Sequence, residues 1–259
     1  MSNKLNDIIE ETKKEALDEY LNKVICGDCL EVMKQLPDKC IDLVLTDPPY
    51  GTTQCSWDEI IPFKDLWTEV ERITRDDGAI IMTASQPFTA ELVHSNIKHF
   101  RHSWIWDKGL SGNIFLADSQ PMKIHEDVCV FGKISPRYYP LKTQGNMRKM
   151  RNNGMNDSAF GDFKSYQGEI TDMKNPKSIC YFPNTDRKNI EHPTQKPVSL
   201  FAYLITQYSK ENDIILDPFL GSGTTAVACQ NLHRNFIGIE ISPEYCKIAE
   251  KRLRQKPLL

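Results

Sequence analysis

"DIILDPFLGSGTTAVA", residues 213–228, reads as a buried strand, a glycine-rich turn and the start of a helix. Ile214, Ile215 and Leu216 supply the apolar run, and Gly221 and Gly223 let the backbone approach a ligand closely. A helix opening directly after them offers free N–H groups. Lys-Ser/Thr does not follow the last glycine, so this is not a phosphate-binding P-loop, nor is it the full G-x-G-x-x-G dinucleotide turn. On the next strand, "FIGIEI" (236–241), Glu240 stands 17 residues after Gly223. An acid there commonly hydrogen-bonds ribose hydroxyls at the switch point of a doubly wound sheet. The pair points to a nucleoside cofactor without a demanding pyrophosphate, which suits S-adenosylmethionine. A turn with a purely structural role is the plainer alternative.

Strands and helices alternate on both sides of this stretch. Strands are expected at "VICGD" (24–28), "IDLVLTD" (41–47), "GAIIMTA" (78–84), "HSWIWDK" (102–108) and "EDVCVFG" (126–132). Helices are expected at "LEVMKQL" (30–36), at "FKDLWTEVERI" (63–73) and over 85–100. The second of these spaces Phe63, Leu66, Trp67, Val70 and Ile73 helically. "PVSLFAYLITQYSK" (197–210) puts Leu200, Phe201, Leu204, Ile205 and Tyr208 on one helical face, and "TTAVACQNL" (224–232) follows as a helix. Ser242 caps the last helix, with Pro243 at its first position and Glu244 in its first turn. Alternating strands and helices indicate an α/β architecture with a parallel sheet. Trp104 and Trp106 read as core residues.

The strand "IDLVLT" ends in Asp47-Pro48-Pro49-Tyr50, where α/β sheets bind ligands. Two prolines fix φ and remove donors, so the Asp47 carboxylate and the Pro48 carbonyl can face one point. Both are acceptors, suited to the two hydrogens of an –NH2 group, with Tyr50 stacked on the attached ring. An amine conjugated to a heteroaromatic ring is a poor nucleophile. Two acceptors favour its pyramidalisation and help localise the lone pair toward an electrophile such as a sulfonium methyl. The chain has no Pro-Cys dipeptide, consistent with direct transfer without a covalent enzyme intermediate. A Pro-Pro strand terminator is the bland reading of the same motif.

Composition narrows the partners. The chain has 259 residues, 40% hydrophobic and 26% charged, with no run long enough to span a membrane and no signal peptide, so a cytoplasmic protein is expected. Net charge is −3, yet residues 133–190 hold 11 Lys and Arg against five acids, a local +6 on an otherwise acidic body. That stretch is rich in Gly and Asn, lacks a sustained period and reads as an insertion. Its charge suits an anionic partner, or else a merely solvated loop. Of the eight cysteines only Cys26 and Cys29 are closely spaced, with no second pair at zinc spacing, so reduced cysteines packed as small hydrophobes are expected and no metal.

With these residues assembled, the chain resembles an amino-methylating DNA methyltransferase (N6-adenine/N4-cytosine) of the β-type, in which the catalytic motif precedes the cofactor motif. It is similar to short prophage-type members. The resemblance covers roughly residues 23–132 and 190–255. It implies a Rossmann-like S-adenosylmethionine-dependent methyltransferase fold with permuted motif order and an inserted target-recognition region. The divisions expected are an N-terminal helical extension (1–22), a catalytic part (23–132), the insertion (133–190) and a cofactor-binding part (191–259). "GDCLEVM" (27–33) implies that Asp28 and the Cys29 backbone hold the cofactor's adenine. "HPTQKP" (192–197) implies that Thr194, Gln195, Lys196 and a helix N-terminus hold its carboxylate. "DPFLGSGTT" (217–225) brings Asp217, Phe219, Gly221, Ser222, Gly223, Thr224 and Thr225 to the cofactor, with Asp47 beside them and Glu240 on the ribose. Asp47, Pro48, Pro49 and Tyr50 are the catalytic set. Arg148, Lys149 and Arg151 are the expected DNA contacts. The partner implied is double-stranded DNA with a flipped-out target base, with homodimerisation left open and restriction-modification as the setting.

Three rivals remain. An N4-cytosine enzyme of this type more often has Ser before Pro-Pro-Tyr, so Asp47 favours adenine by resemblance. Enzymes acting on RNA or on a protein glutamine tend to carry Asn-Pro-Pro-Tyr after the glycine loop, whereas Asp47 here lies 174 residues before Gly221. A non-catalytic DNA-binding module would bind the cofactor without transfer. Lys108 and His125 stay unassigned.

Overall fold

The computed structural model describes residues 15–51, 60–146, 172–183 and 195–255. The chain divides into a main unit, Met1–Tyr139 with Ser178–Leu259, and a second unit, Pro140–Lys177. The main unit runs β1 (Lys23–Cys26), α1 (Cys29–Met33), β2 (Ile41–Thr46), α2 (Phe63–Ile73), β3 (Thr74–Ala84), α3 (Phe88–Ser95), β4 (Phe100–Asp107) and β5 (His125–Phe131). In the second unit β6 (Thr143–Gln144) and β7 (Met173–Lys174) pair as an antiparallel ribbon. The main unit resumes with β8 (Ile179–Tyr181), α4 (Val198–Tyr208), β9 (Ile214–Asp217), α5 (Thr224–Asn231), β10 (Asn235–Glu240) and α6 (Pro243–Arg254).

Eight strands form one sheet in the order β1-β10-β9-β2-β3-β5-β4-β8. All six residues of β2 are buried, as expected of a parallel strand covered on both faces. Successive side chains along β2 and β3 alternate between two cores. Val44, Ile80 and Met82 pack with Trp67, Val70 and Ile73 of α2, while Leu43, Leu45, Ala79 and Ile81 pack with Phe201, Leu204 and Ile205 of α4 and Ala226 of α5. The result is a helix–sheet–helix sandwich. Each buried Val, Leu, Ile, Met or Phe among them contributes about 1.5–3 kcal/mol relative to exposure. Among the described residues no helix is long and apolar enough to cross a membrane.

The expected alternation holds with three differences. β5 runs antiparallel to both β3 and β4. The β4–β5 connection carries only a 3-10 turn at Ile114–Leu116, and without a crossover helix the chain returns antiparallel. α3 stops at Ser95, short of residue 100, because Asn96 leaves helical geometry and its amide donates to Glu71 at 2.7 Å. Third, the stretch read as irregular from 133 to 190 contains β8. Its Cys180 is buried and pairs with Trp106, whose indole donates to the Phe182 carbonyl at 2.8 Å. Both tryptophans are core residues.

Candidate active site

Strand order explains why residues far apart in sequence meet. β10, β9 and β2 are neighbours, with Val44 level with Leu216 and Gly238 level with Asp217. Their carboxyl ends therefore deliver Glu240, Asp217 and Asp47 side by side. There they open on a cavity of about 650 Å³, lined by Gly27, Asp28, Cys29, Asp47, Pro48, Pro49, Tyr50, Gln195, Lys196, Asp217, Phe219, Gly221, Ser222, Thr224, Thr225 and Glu240, with Phe201, Tyr245 and others. That volume suits a small organic ligand. Thr194, Arg148, Lys149 and Arg151 lie outside the described residues. Gly223 is absent from the lining. At φ +87°, a Cβ there would meet the Ala249 side chain at 2.9 Å, so this glycine makes room for α6. Gly221, at φ +55°, has open space where its Cβ would point.

The turn is held by Asp217. Its carboxylate accepts from Thr46 Oγ1 at 2.5 Å, from the Phe219 N–H at 3.1 Å and from Thr225 Oγ1. Burial pushes the carboxyl up to about 7, against the opposing pull of the Thr225 and Thr46 hydroxyls and the Phe219 amide. Asp217 thus clasps β2, β9 and α5 together. Glu240 is oriented by two backbone donors, Gly221 N–H to Oε2 and Ser242 N–H to Oε1, both at 2.8 Å. Each oxygen keeps a second lone pair. Asp28 caps α1 by accepting from the Glu31 N–H at 3.1 Å. Burial, and then the Asp28 charge, push the Cys29 thiol up to about 12, so it stays an inert thiol. Gln195 lies near Ser222, with Oγ to Oε1 at 3.4 Å. A vacant glycine face, oriented carboxylates at the strand ends and apolar walls fit a nucleoside-containing cofactor.

At the other side of the cavity, three donors converge on one oxygen of Asp47. The Tyr50 hydroxyl reaches Oδ1 at 2.7 Å, Lys196 Nζ lies 3.0 Å from it, and Thr83 Oγ1 donates to it. Among the described residues no donor meets Oδ2. Tyr50 also lies 3.0 Å from Thr83 Oγ1, and its ring stacks on Phe88 at 5.1 Å and 26°. Burial, then the charges of Asp47 and Glu126, raise the Tyr50 hydroxyl well above the ordinary phenol range, so it remains a donor. The Lys196 ammonium is 10% exposed and also lies 3.1 Å from Glu126 Oε2. That contact is an ion pair off hydrogen-bond alignment. Glu126 Oε1 meets Lys108 Nζ at 2.9 Å.

Sequence reading did not single out Thr83, Glu126 or Phe88 for this site. Thr83 had a legible signal, a polar side chain near the end of the buried strand β3, whereas Glu126 had none. Lys108 was noticed without a role.

A family model described as DNA methylase matches residues 41–251. The type II methyltransferase M.HpaI of Haemophilus parainfluenzae is 30% identical, over 89% of this chain and 74% of that protein. M.HinfI of Haemophilus influenzae, also a type II methyltransferase, is 29% identical over 93% and 71%. Among solved structures, the M1.HpyAVI–SAM complex superposes with a TM-score of 0.60 at 25% identity, covering 90% of this chain and 99% of that one. PvuII DNA methyltransferase, described as cytosine-N4-specific, shares the fold with a TM-score of 0.67 at 17% identity, over 91% and 87%.

Proposed function

The chain belongs to the N6/N4 DNA methylase family, and from that premise we propose that it methylates the N6 amine of adenine in a flipped-out base of double-stranded DNA, using S-adenosylmethionine. When bound, the cofactor would supply an electrophilic methyl on a sulfonium centre whose sulfur departs as a neutral thioether, while the methylated amine would give up one of its protons. Asp28 and the Cys29 backbone would hold its adenine, Glu240 its ribose, and Gln195, Ser222, Thr224 and the start of α4 its carboxylate. Phe219, Gly221 and Thr225 shape the pocket, and Asp217 fixes the turn that carries them.

Asp47 Oδ2 and the Pro48 carbonyl accept the two hydrogens of the target amine and turn its lone pair toward the cofactor pocket. Tyr50, backed by Phe88, offers a rigid wall for the flipped base. The observation that carries this reading is the asymmetry of Asp47, a residue of the cavity wall that takes three donors on Oδ1 and, among the described residues, none on Oδ2. Arg148, Lys149 and Arg151 are proposed to contact DNA phosphates.

Adenine is favoured over cytosine by Asp47 in place of Ser before Pro-Pro-Tyr. Both exocyclic amines suit the same two acceptors, so N4-cytosine is the second reading. Nucleoside mass spectrometry on DNA from a methylation-free bacterium expressing the protein separates them. N6-methyladenine is expected. N4-methylcytosine would keep the mechanism and overturn the base, and neither mark, from protein that binds the cofactor, would overturn the reaction.

A further inference from the structure

Lys108, Glu126, Lys196 and Asp47 form a row of alternating charge whose last two members belong to the cavity wall, with separations of 2.9, 3.1 and 3.0 Å. Resting on the transferase reading above, we propose that Glu126 is a positioning residue for methyl transfer. It holds the Lys196 ammonium between two carboxylates, so that Asp47 Oδ1 stays occupied and Oδ2 is left for the target amine.

The fold supplies the geometry. β5 returns antiparallel along β4, placing Glu126 level with Trp106. The Trp106 and Tyr50 rings stand 5.9 and 5.5 Å from Lys196 Nζ and wall the ammonium in. A buried ammonium persists only with counter-charges. If Asp47 were its sole partner, the pair would close on itself and Asp47 would be a weaker acceptor. With Glu126 on its other side the positive charge is shared, and Asp47 keeps its anionic strength.

A pH dependence follows. Burial works to push the Lys196 amine down, but Asp47 and Glu126 outweigh it and hold the amine up to about 12. Removing Glu126 leaves burial opposed by Asp47 alone, and the amine loses its proton at lower pH. A neutral Lys196 no longer anchors Oδ1, so transfer declines as pH rises through the lowered value. The other groups facing Lys196 do not mimic this. The Tyr50 hydroxyl is held well above its ordinary range, Trp106 does not titrate, Lys108 acts through Glu126, and Asp217, raised to about 7, has ionised by the alkaline part of the range.

The test is single-turnover transfer of labelled methyl from S-adenosylmethionine to unmethylated duplex DNA, between about pH 7 and about pH 10. Wild type, Glu126→Gln, Lys108→Met and Lys196→Met are compared, with cofactor affinity and thermal melting measured alongside. Wild type is expected to be flat on the alkaline side. Glu126→Gln should fall about tenfold per pH unit beyond its lowered limb, and Lys108→Met should show no such limb. Lys196→Met should lose about 10²-fold at every pH when saturated with cofactor. A Glu126→Gln profile parallel to wild type, at full or uniformly reduced rate, overturns the proposal. If Glu126→Gln does not fold, Lys196→Met decides: a wild-type rate there overturns it. An inert wild type that binds cofactor would overturn the transferase reading itself, a result distinct from a parallel profile on an active enzyme.

Discussion

β2 carries a carboxylate near each end, and the two are partnered in opposite ways. At its start, Asp42 is 12% exposed and has both oxygens engaged, Oδ1 by Arg137 at 2.8 Å and Oδ2 by the Ile214 N–H at 2.9 Å. At the far end Asp47 takes three donors on Oδ1, and among the described residues none on Oδ2. The first arrangement closes the hydrogen-bonding capacity of a buried charge, and its purpose is complete within the fold. The second holds a carboxylate rigidly by one oxygen and leaves the other to an incoming partner. Number of contacts does not separate structural from functional carboxylates here. Their distribution over the two oxygens does.

Substitutions can break this contrast. Asp47→Ala should reduce methyl transfer per folded molecule about 10³-fold or more, with cofactor affinity little changed. A collapse of cofactor affinity instead would place Asp47 in binding rather than reaction. Asp42→Ala should do the reverse. It removes the acceptor of the Ile214 N–H and the nearest of three carboxylates around Arg137, leaving Asp77 and Asp213 at 3.4 and 3.6 Å, and should cost about 2 kcal/mol in denaturant unfolding, while the rate per folded molecule stays near wild type. Loss of transfer at undiminished stability would mean that the two ends of β2 do not divide their roles in this way.

Glu240 sharpens the contrast from the cofactor side. Glu240→Ala should weaken cofactor binding roughly 10- to 100-fold by titration calorimetry, with the single-turnover rate at saturation less affected. An unchanged dissociation constant would remove Glu240 from the ribose. Asp217 offers a test by pH. Its folded carboxyl is raised to about 7, above the ordinary value of 3.8, so between those values the folded state binds more protons than the unfolded state. Its contribution to stability is therefore full below about pH 4 and is lost as pH rises through about 7. Relative to wild type, Asp217→Asn should flatten the stability–pH curve across that window, and an identical slope would contradict the assigned burial. The smallest effect concerns DNA. Neutralising Arg148, Lys149 and Arg151 should reduce the salt slope of binding by about 2–3, and an unmoved slope would make that segment a solvated face.

Much of this was legible in the residues. β2, α2 and α4 carry apolar patterns with one reading each, and α2 occupies the expected Phe63–Ile73. The strand ends bearing Asp47, Asp217 and Glu240 declared themselves because a carboxylate closing an apolar run has few structural reasons to be there. Other features needed three dimensions. Glu126 opens a strand whose direction depends on the missing crossover helix between β4 and β5, and no local pattern announces that. Gly223 sits beside Gly221 in the same turn, yet only packing shows that one spares Ala249 and the other opens on the cavity. The three donors on Asp47 come from the Pro-Pro turn, β3 and the segment before α4, a convergence that sequence spacing does not encode.

The most direct measurement is single-turnover methyl transfer by Asp47→Asn, with purified protein saturated in S-adenosylmethionine and duplex DNA. The amide can keep its oxygen at the Oδ1 position, accepting from Tyr50, Thr83 and Lys196, but then presents an NH2 donor where Oδ2 stood. We expect a folded protein with wild-type cofactor affinity and no measurable transfer. Transfer near the wild-type rate would contradict the account, because the open oxygen of Asp47 would then not be what receives the target amine.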